Sequence, residues 1–188
     1  MKILFLTRIL KFLRSMFKYL LFLMLALGGT ACRQQNVAKK DAVKAKPVKP
    51  VQLKLVEDAA VKLKFDSLLR NNGKTIKDGY YLLIQVDGCN HCVDTTVSFS
   101  LHHLNSDKIT FILTSETGGI KVFNDKYSDD QLKANNLVLD GQSAFIREKF
   151  CSGLMTLMTV DGGQLVGMTT LMYDEIAENL AWLENRLQ

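Results

Sequence analysis

Tyr80-Tyr-Leu-Leu-Ile-Gln-Val-Asp-Gly-Cys-Asn-His-Cys92 is the stretch on which the fold turns. From Tyr80 to Val86 it is a short, nearly continuous apolar run, which suits a strand buried on both faces better than a half-exposed one. Asp87-Gly88 breaks the run. Beyond Cys92, Val93, Val97, Leu101 and Leu104 fall on one face of a helix, although its Thr and Ser residues give it low intrinsic propensity, so packing has to hold it. Cys89-Asn90-His91-Cys92 therefore sits where a buried strand ends and a helix begins.

The neighbouring segments follow the same alternation. Upstream, Val61, Phe65, Leu68 and Leu69 predict a helix over 57–71, stopped by Asn71-Asn72-Gly73; Val61, Leu63 and Phe65 also alternate as a strand would. Downstream, Lys108 to Leu113 predicts a strand, 116–135 a loop or short helix, and Asn136 to Leu139 a third strand. Ser143 to Phe150 reads as helical. Leu154–Val160 and Gln164–Thr169 read as two strands joined by Asp161-Gly162-Gly163, a strong hairpin signal. A last helix starts near Tyr173 and aligns Ile176, Leu180, Leu183 and Leu187, with Asp174 and Glu175 at its start and Arg186 at its end suiting the helix dipole. Strands alternating with helices imply an α/β fold, a central mixed sheet flanked by helices, with right-handed crossovers and an antiparallel edge from the final hairpin.

The N-terminal quarter is different in kind. Lys2, Arg8, Lys11, Arg14 and Lys18 precede an uncharged apolar run from Tyr19 to Leu27 and then Gly28-Gly29-Thr30-Ala31-Cys32, the layout of an export signal over residues 1–31. The run is too short for a bilayer core, which takes roughly 20 residues. Thr30-Ala31-Cys32 resembles a bacterial lipobox, which implies lipid on Cys32 and a membrane anchor facing the periplasm or the cell exterior. Gly29 stands where that pattern usually has Leu, which leaves ordinary signal-peptidase cleavage as the alternative. Residues 32–50 hold both prolines, Pro47 and Pro50, and few large apolar groups, so they read as a flexible basic linker whose lysines can lie against anionic head groups. The folded domain is then 51–188.

Charge separates along the same line. Of 24 Lys and Arg residues, 11 lie in residues 1–50 against a single acid, which leaves the folded part with 13 basic and 18 acidic residues. A nucleic-acid-binding domain carries its positive charge on the folded surface, and this one does not.

The chemistry lies in the two cysteines. Cys89 at a helix N-terminus faces the positive end of the dipole and free N–H groups, which stabilise a thiolate. Cys92, one turn further, is placed to resolve a mixed disulfide, and His91 between them, when protonated, adds to the stabilisation. Stabilising the reduced form raises the reduction potential. With that strand–Cys-x-x-Cys–helix unit and with Gly153-Leu-Met-Thr-Leu-Met-Thr-Val-Asp-Gly-Gly-Gln-Leu-Val-Gly167, the chain resembles the thioredoxin-like superfamily from about Tyr80 to Leu187. Anchored redoxin lipoproteins of the TlpA type are the particular resemblance. It implies a thioredoxin-like fold and thiol–disulfide exchange, with Cys89 as attacking nucleophile, Cys92 as resolving thiol and Leu154 and Met155 at the substrate groove. It implies no dissociable cofactor beyond the redox-active disulfide, and as partners client protein thiols or disulfides and an upstream redox protein.

The chain also departs from that family. No proline follows Pro50, so the cis-proline expected before the hairpin strand is replaced by Met155; Gly88 stands for the usual Trp, and apolar residues such as Leu83 for the buried acid. Two other readings of the residues stay open. One is a redox-inactive binding module with a permanent Cys89–Cys92 disulfide. The other is a zinc or copper site in which His102 or His103, or Cys151, joins the cysteines. Against it, a helix carries the two histidines roughly 15 Å from Cys89, where they read as surface or half-buried residues. Cys151 reads as a small buried hydrophobe.

Overall fold

The computed structural model describes residues 50–188 apart from 152 and 154. The export signal 1–31, Cys32, the linker up to 49 and Leu154 lie outside the described residues.

The apolar run forms β2 (Gly79–Gln85), whose residues from Tyr81 onward are all buried. It is buried on both faces because it lies inside a six-stranded sheet of order β1-β6-β5-β2-β3-β4. The other strands are β1 (Lys54–Leu55), β3 (Ile109–Thr114), β4 (Leu137–Asp140), β5 (Met155–Asp161) and β6 (Gln164–Leu171). β2, β3 and β4 run parallel; β5 pairs antiparallel with β2, β6 with β5, and β1 with β6. The sheet is therefore mixed, as expected, but the hairpin does not end it. β1 adds a final pair beyond β6, Lys54 opposite Met168 and Leu55 opposite Gly167.

Alternation along β2 sends its side chains into two separate cores. Leu82 and Ile84 join Phe111, Leu113 and Leu157 beneath α2 (Asn90–His102) and α4 (Ile176–Leu187). Tyr81 and Leu83 join Ile112, Val138, Met158 and Val160 on the other face. There α1 (Ala59–Asn71) supplies Phe65, Leu68 and Leu69. Phe65 is fully buried, with ring centroids 5.3 Å from Tyr81, 6.2 Å from Phe145 and 5.7 Å from Phe150. Leu63 is 71% exposed, which decides between the two readings of that segment: helical spacing places it outward while Phe65 turns in. Asp58 caps α1, its side chain accepting from the Ala60 amide at 2.8 Å.

The helix expected over 143–150 is much shorter, α3 (Ala144–Arg147). Ser143 at φ 55° and Lys149 at φ 63° take left-handed backbone on either side and confine it to about one turn. Asp140, fully buried, holds its start by accepting from the Ala144 and Phe145 amides, both at 2.9 Å. The 116–135 segment contains two 3₁₀ turns, Ile120–Asp125 and Gln131–Lys133. The last helix opens as a 3₁₀ turn, Tyr173–Glu175, and α4 buries all four aligned residues, Ile176, Leu180, Leu183 and Leu187. No helix among the described residues is long and apolar enough to cross a membrane.

Candidate active site

The site forms at the C-terminal end of β2. The Val86 amide still bonds to the Thr114 carbonyl (2.9 Å), and then Asp87-Gly88 turns the chain. The Asp87 carboxylate accepts from Ser115 Oγ (2.8 Å) and from the Glu116 and Thr117 amides (2.7 and 3.3 Å), pinning the turn to the end of β3. Partial burial acts to raise this carboxyl's pKa. Hydrogen bonds from Ser115, Thr117, its own amide and Glu116 outweigh that and hold it below the usual range.

Cys89 follows as the cap residue of α2, outside the helical conformation at φ −59° and ψ 116°, with its carbonyl already accepting from the Val93 amide at 2.9 Å. Its sulfur is exposed and Cys92 is buried. No disulfide joins the pair, and the two thiols differ in acidity. The Cys92 amide is the largest influence on Cys89 and lowers its pKa; the Cys92 thiol adds to it, slight burial opposes, and the His91 amide lowers it further. Cys92 moves the other way, raised first by burial and then by its hydrogen bond to Cys89 and by the Cys89 charge. His91 thus contributes to the thiolate through its main-chain N–H, while its side chain is exposed.

A second segment passes the same corner. Gly88 and Gly153 approach closely enough that a Cβ on Gly88 would lie 3.8 Å from the Gly153 carbonyl oxygen and 3.3 Å from that of Gln85. Gln85, 4% exposed, is the one amide side chain of β2, and it ties the corner together. Its Oε1 accepts from the Gly153 amide (3.1 Å) and from the Cys151 thiol (3.6 Å), and its Nε2 donates to Glu116 Oε1 (3.2 Å). From the opposite side the Tyr173 hydroxyl donates to the Gly153 carbonyl. Gly153 takes φ 83°, a conformation glycine alone adopts without strain. Partial burial raises the Tyr173 hydroxyl pKa, as do the negative charges of Cys89, Cys92 and Cys151.

Met155 adjoins the Cys92 end of the site, whereas His102 and His103 lie at the far end of α2. Met155 is buried at the start of β5, and the Thr96 hydroxyl lies 2.8 Å from both its sulfur and the Cys92 carbonyl. Every peptide bond among the described residues is trans. His102 Nδ1 lies 2.6 Å from the Ser98 carbonyl, and His103 Nε2 pairs with Glu184 at 2.6 Å while its ring lies 4.6 Å from that of Phe99. No group of three His, Cys, Asp or Glu side chains suited to a metal ion occurs among the described residues. Sequence reasoning missed Gln85, Asp87 and Tyr173. The signal for Gln85 was present, since a glutamine inside a run buried on both faces needs partners.

No family model matches the chain, and no curated protein matches it significantly in sequence.

Proposed function

We propose that this protein is a thiol–disulfide oxidoreductase of thioredoxin-like fold, exported and held at a membrane by lipid on Cys32, facing the periplasm or the cell exterior. The observation that carries the chemistry is the division of labour between the thiols: Cys89 exposed and acidified at the first turn of α2, Cys92 buried beside it and less acidic. A mixed six-stranded sheet with the cysteines at a strand–helix junction is compatible with the fold. The Cys89 thiolate attacks one sulfur of a client disulfide, forming a Cys89–client bond and releasing a client thiolate. Cys92, deprotonated, then attacks Cys89, closing the Cys89–Cys92 disulfide and releasing the second client thiolate. Two electrons pass to the client, and a separate redox partner restores the dithiol; in the opposite direction the same steps oxidise client thiols. No dissociable cofactor is needed.

The test is the redox equilibrium of full-length protein carrying Cys151→Ser in glutathione buffers, read by alkylation of Cys89 and Cys92. A potential between about −120 and −270 mV, the span of catalytic dithiols, is expected. A value below about −300 mV would mean a permanently closed disulfide and a binding module in place of an enzyme.

A further inference from the structure

The corner that carries Cys89 has a built feature that the exchange chemistry does not itself require. Gly153 is held through both of its polar main-chain atoms by side chains distant in sequence, its amide by Gln85 and its carbonyl by Tyr173. Gln85 is buried and belongs to β2 itself, so the grip on the amide is fixed to the sheet. Tyr173 comes from the 3₁₀ turn before α4, a different element, and its ring is 41% exposed. Met172 beside it is 52% exposed, so an apolar surface adjoins this grip. The held peptide faces the Gly88 turn that leads into the exposed Cys89.

We propose that Gln85 and Tyr173 are positioning residues that fix the Gly153 peptide beside Cys89 and so favour polypeptide disulfides over small ones. The proposal rests on the exchange reading above. A small disulfide needs only the exposed sulfur, which it reaches from open solvent. A polypeptide disulfide brings flanking main chain and side chains that must pass along whatever stands next to Cys89. If that neighbour moves, the client chain has no constant surface to lie against, and the geometry of attack is lost for a fraction of encounters. The raised pKa of the Tyr173 hydroxyl keeps it a neutral donor while the cysteines ionise, so the grip persists through the reaction.

Tyr173→Phe in full-length protein removes one oxygen and leaves the ring. Pre-reduced wild type and variant are mixed with a polypeptide carrying an interchain disulfide, and separately with a small aromatic disulfide, and kcat/KM is compared. The expected result is a loss of about three- to tenfold on the polypeptide, the range that one neutral hydrogen bond supplies. The small disulfide and the Cys89–Cys92 reduction potential should be unaffected. An equal loss on both substrates, a shifted potential, or no loss on either would overturn the positioning role. Wild type inactive toward both disulfides would instead overturn the exchange reading, and this proposal with it.

Discussion

Replacing Gln85 with leucine separates what this side chain contributes through hydrogen bonds from what it contributes by filling space. The position is 4% exposed, and leucine fills nearly the same volume, so no large cavity opens. Three interactions disappear. The Glu116 carboxylate is exposed and recovers water, so the 3.2 Å bond to it costs little. The Cys151 thiol, at 3.6 Å, is a weak donor and also costs little. The Gly153 amide is half-buried and loses its acceptor Gln85 Oε1, at 3.1 Å, and a donor stranded in this way costs about 1–3 kcal/mol. Burying an apolar side chain in place of an amide returns part of that, on the order of 1 kcal/mol. The net expectation for Gln85→Leu is a destabilisation of about 0–2 kcal/mol. Urea unfolding at neutral pH measures it, with the midpoint moving and the slope unchanged. A variant more stable than wild type would mean that the Gly153 segment is held by something other than Gln85.

Two further outcomes are expected. The rate of Cys89 alkylation should reach its plateau at a lower pH than that of a cysteine in a peptide, whose thiol titrates near about 8.5; a midpoint at or above the peptide value contradicts the hydrogen bonding assigned to the Cys92 and His91 amides. Because the folded-state pKa of Cys89 is the lower one, any stability linked to it is present above the unfolded pKa and is lost as pH falls through the folded value. Phe65→Ala, at a fully buried ring touching Tyr81, Phe145 and Phe150, should cost about 3–5 kcal/mol in the same urea assay, and a loss below about 1 kcal/mol would show that α1 is not packed there as described.

Much of the architecture was legible because it is encoded locally. The run from Tyr80, the Asp161-Gly162-Gly163 turn and the four aligned residues of α4 each carry their signal within a few positions. β1 has no such signal: it is two exposed residues, and only pairing with β6, more than a hundred positions away, makes it a strand. The 143–150 helix was overestimated because its apolar spacing is helical. Its length is set by the left-handed backbone at Ser143 and Lys149, which composition does not announce. The site divides in the same way. A cysteine at a strand–helix junction could be placed from sequence, whereas the partners of Gln85 lie 31, 66 and 68 positions off and Tyr173 reads only as the start of a helix. The groove position given to Met155 rested on resemblance, and its side chain is packed beneath α2 against Thr96.

The asymmetry of the two thiols also sets the order of events in the proposed reaction. Burial raises the Cys92 pKa, but so do its hydrogen bond to Cys89 and the Cys89 negative charge. The last two exist only while Cys89 is a thiolate. When Cys89 enters a mixed disulfide its charge is lost, and the Cys92 thiol no longer has a thiolate to donate to. Of the three causes only burial then remains, so Cys92 becomes easier to deprotonate at the moment its nucleophile is required. The Cys92 amide, the largest influence lowering the Cys89 pKa, belongs to the main chain of α2 and remains in place throughout. Attack by Cys89 first and by Cys92 second therefore follows from a strand that ends at Gln85 and a helix that begins at Asn90, with the exposed sulfur at the junction and the buried one a turn below.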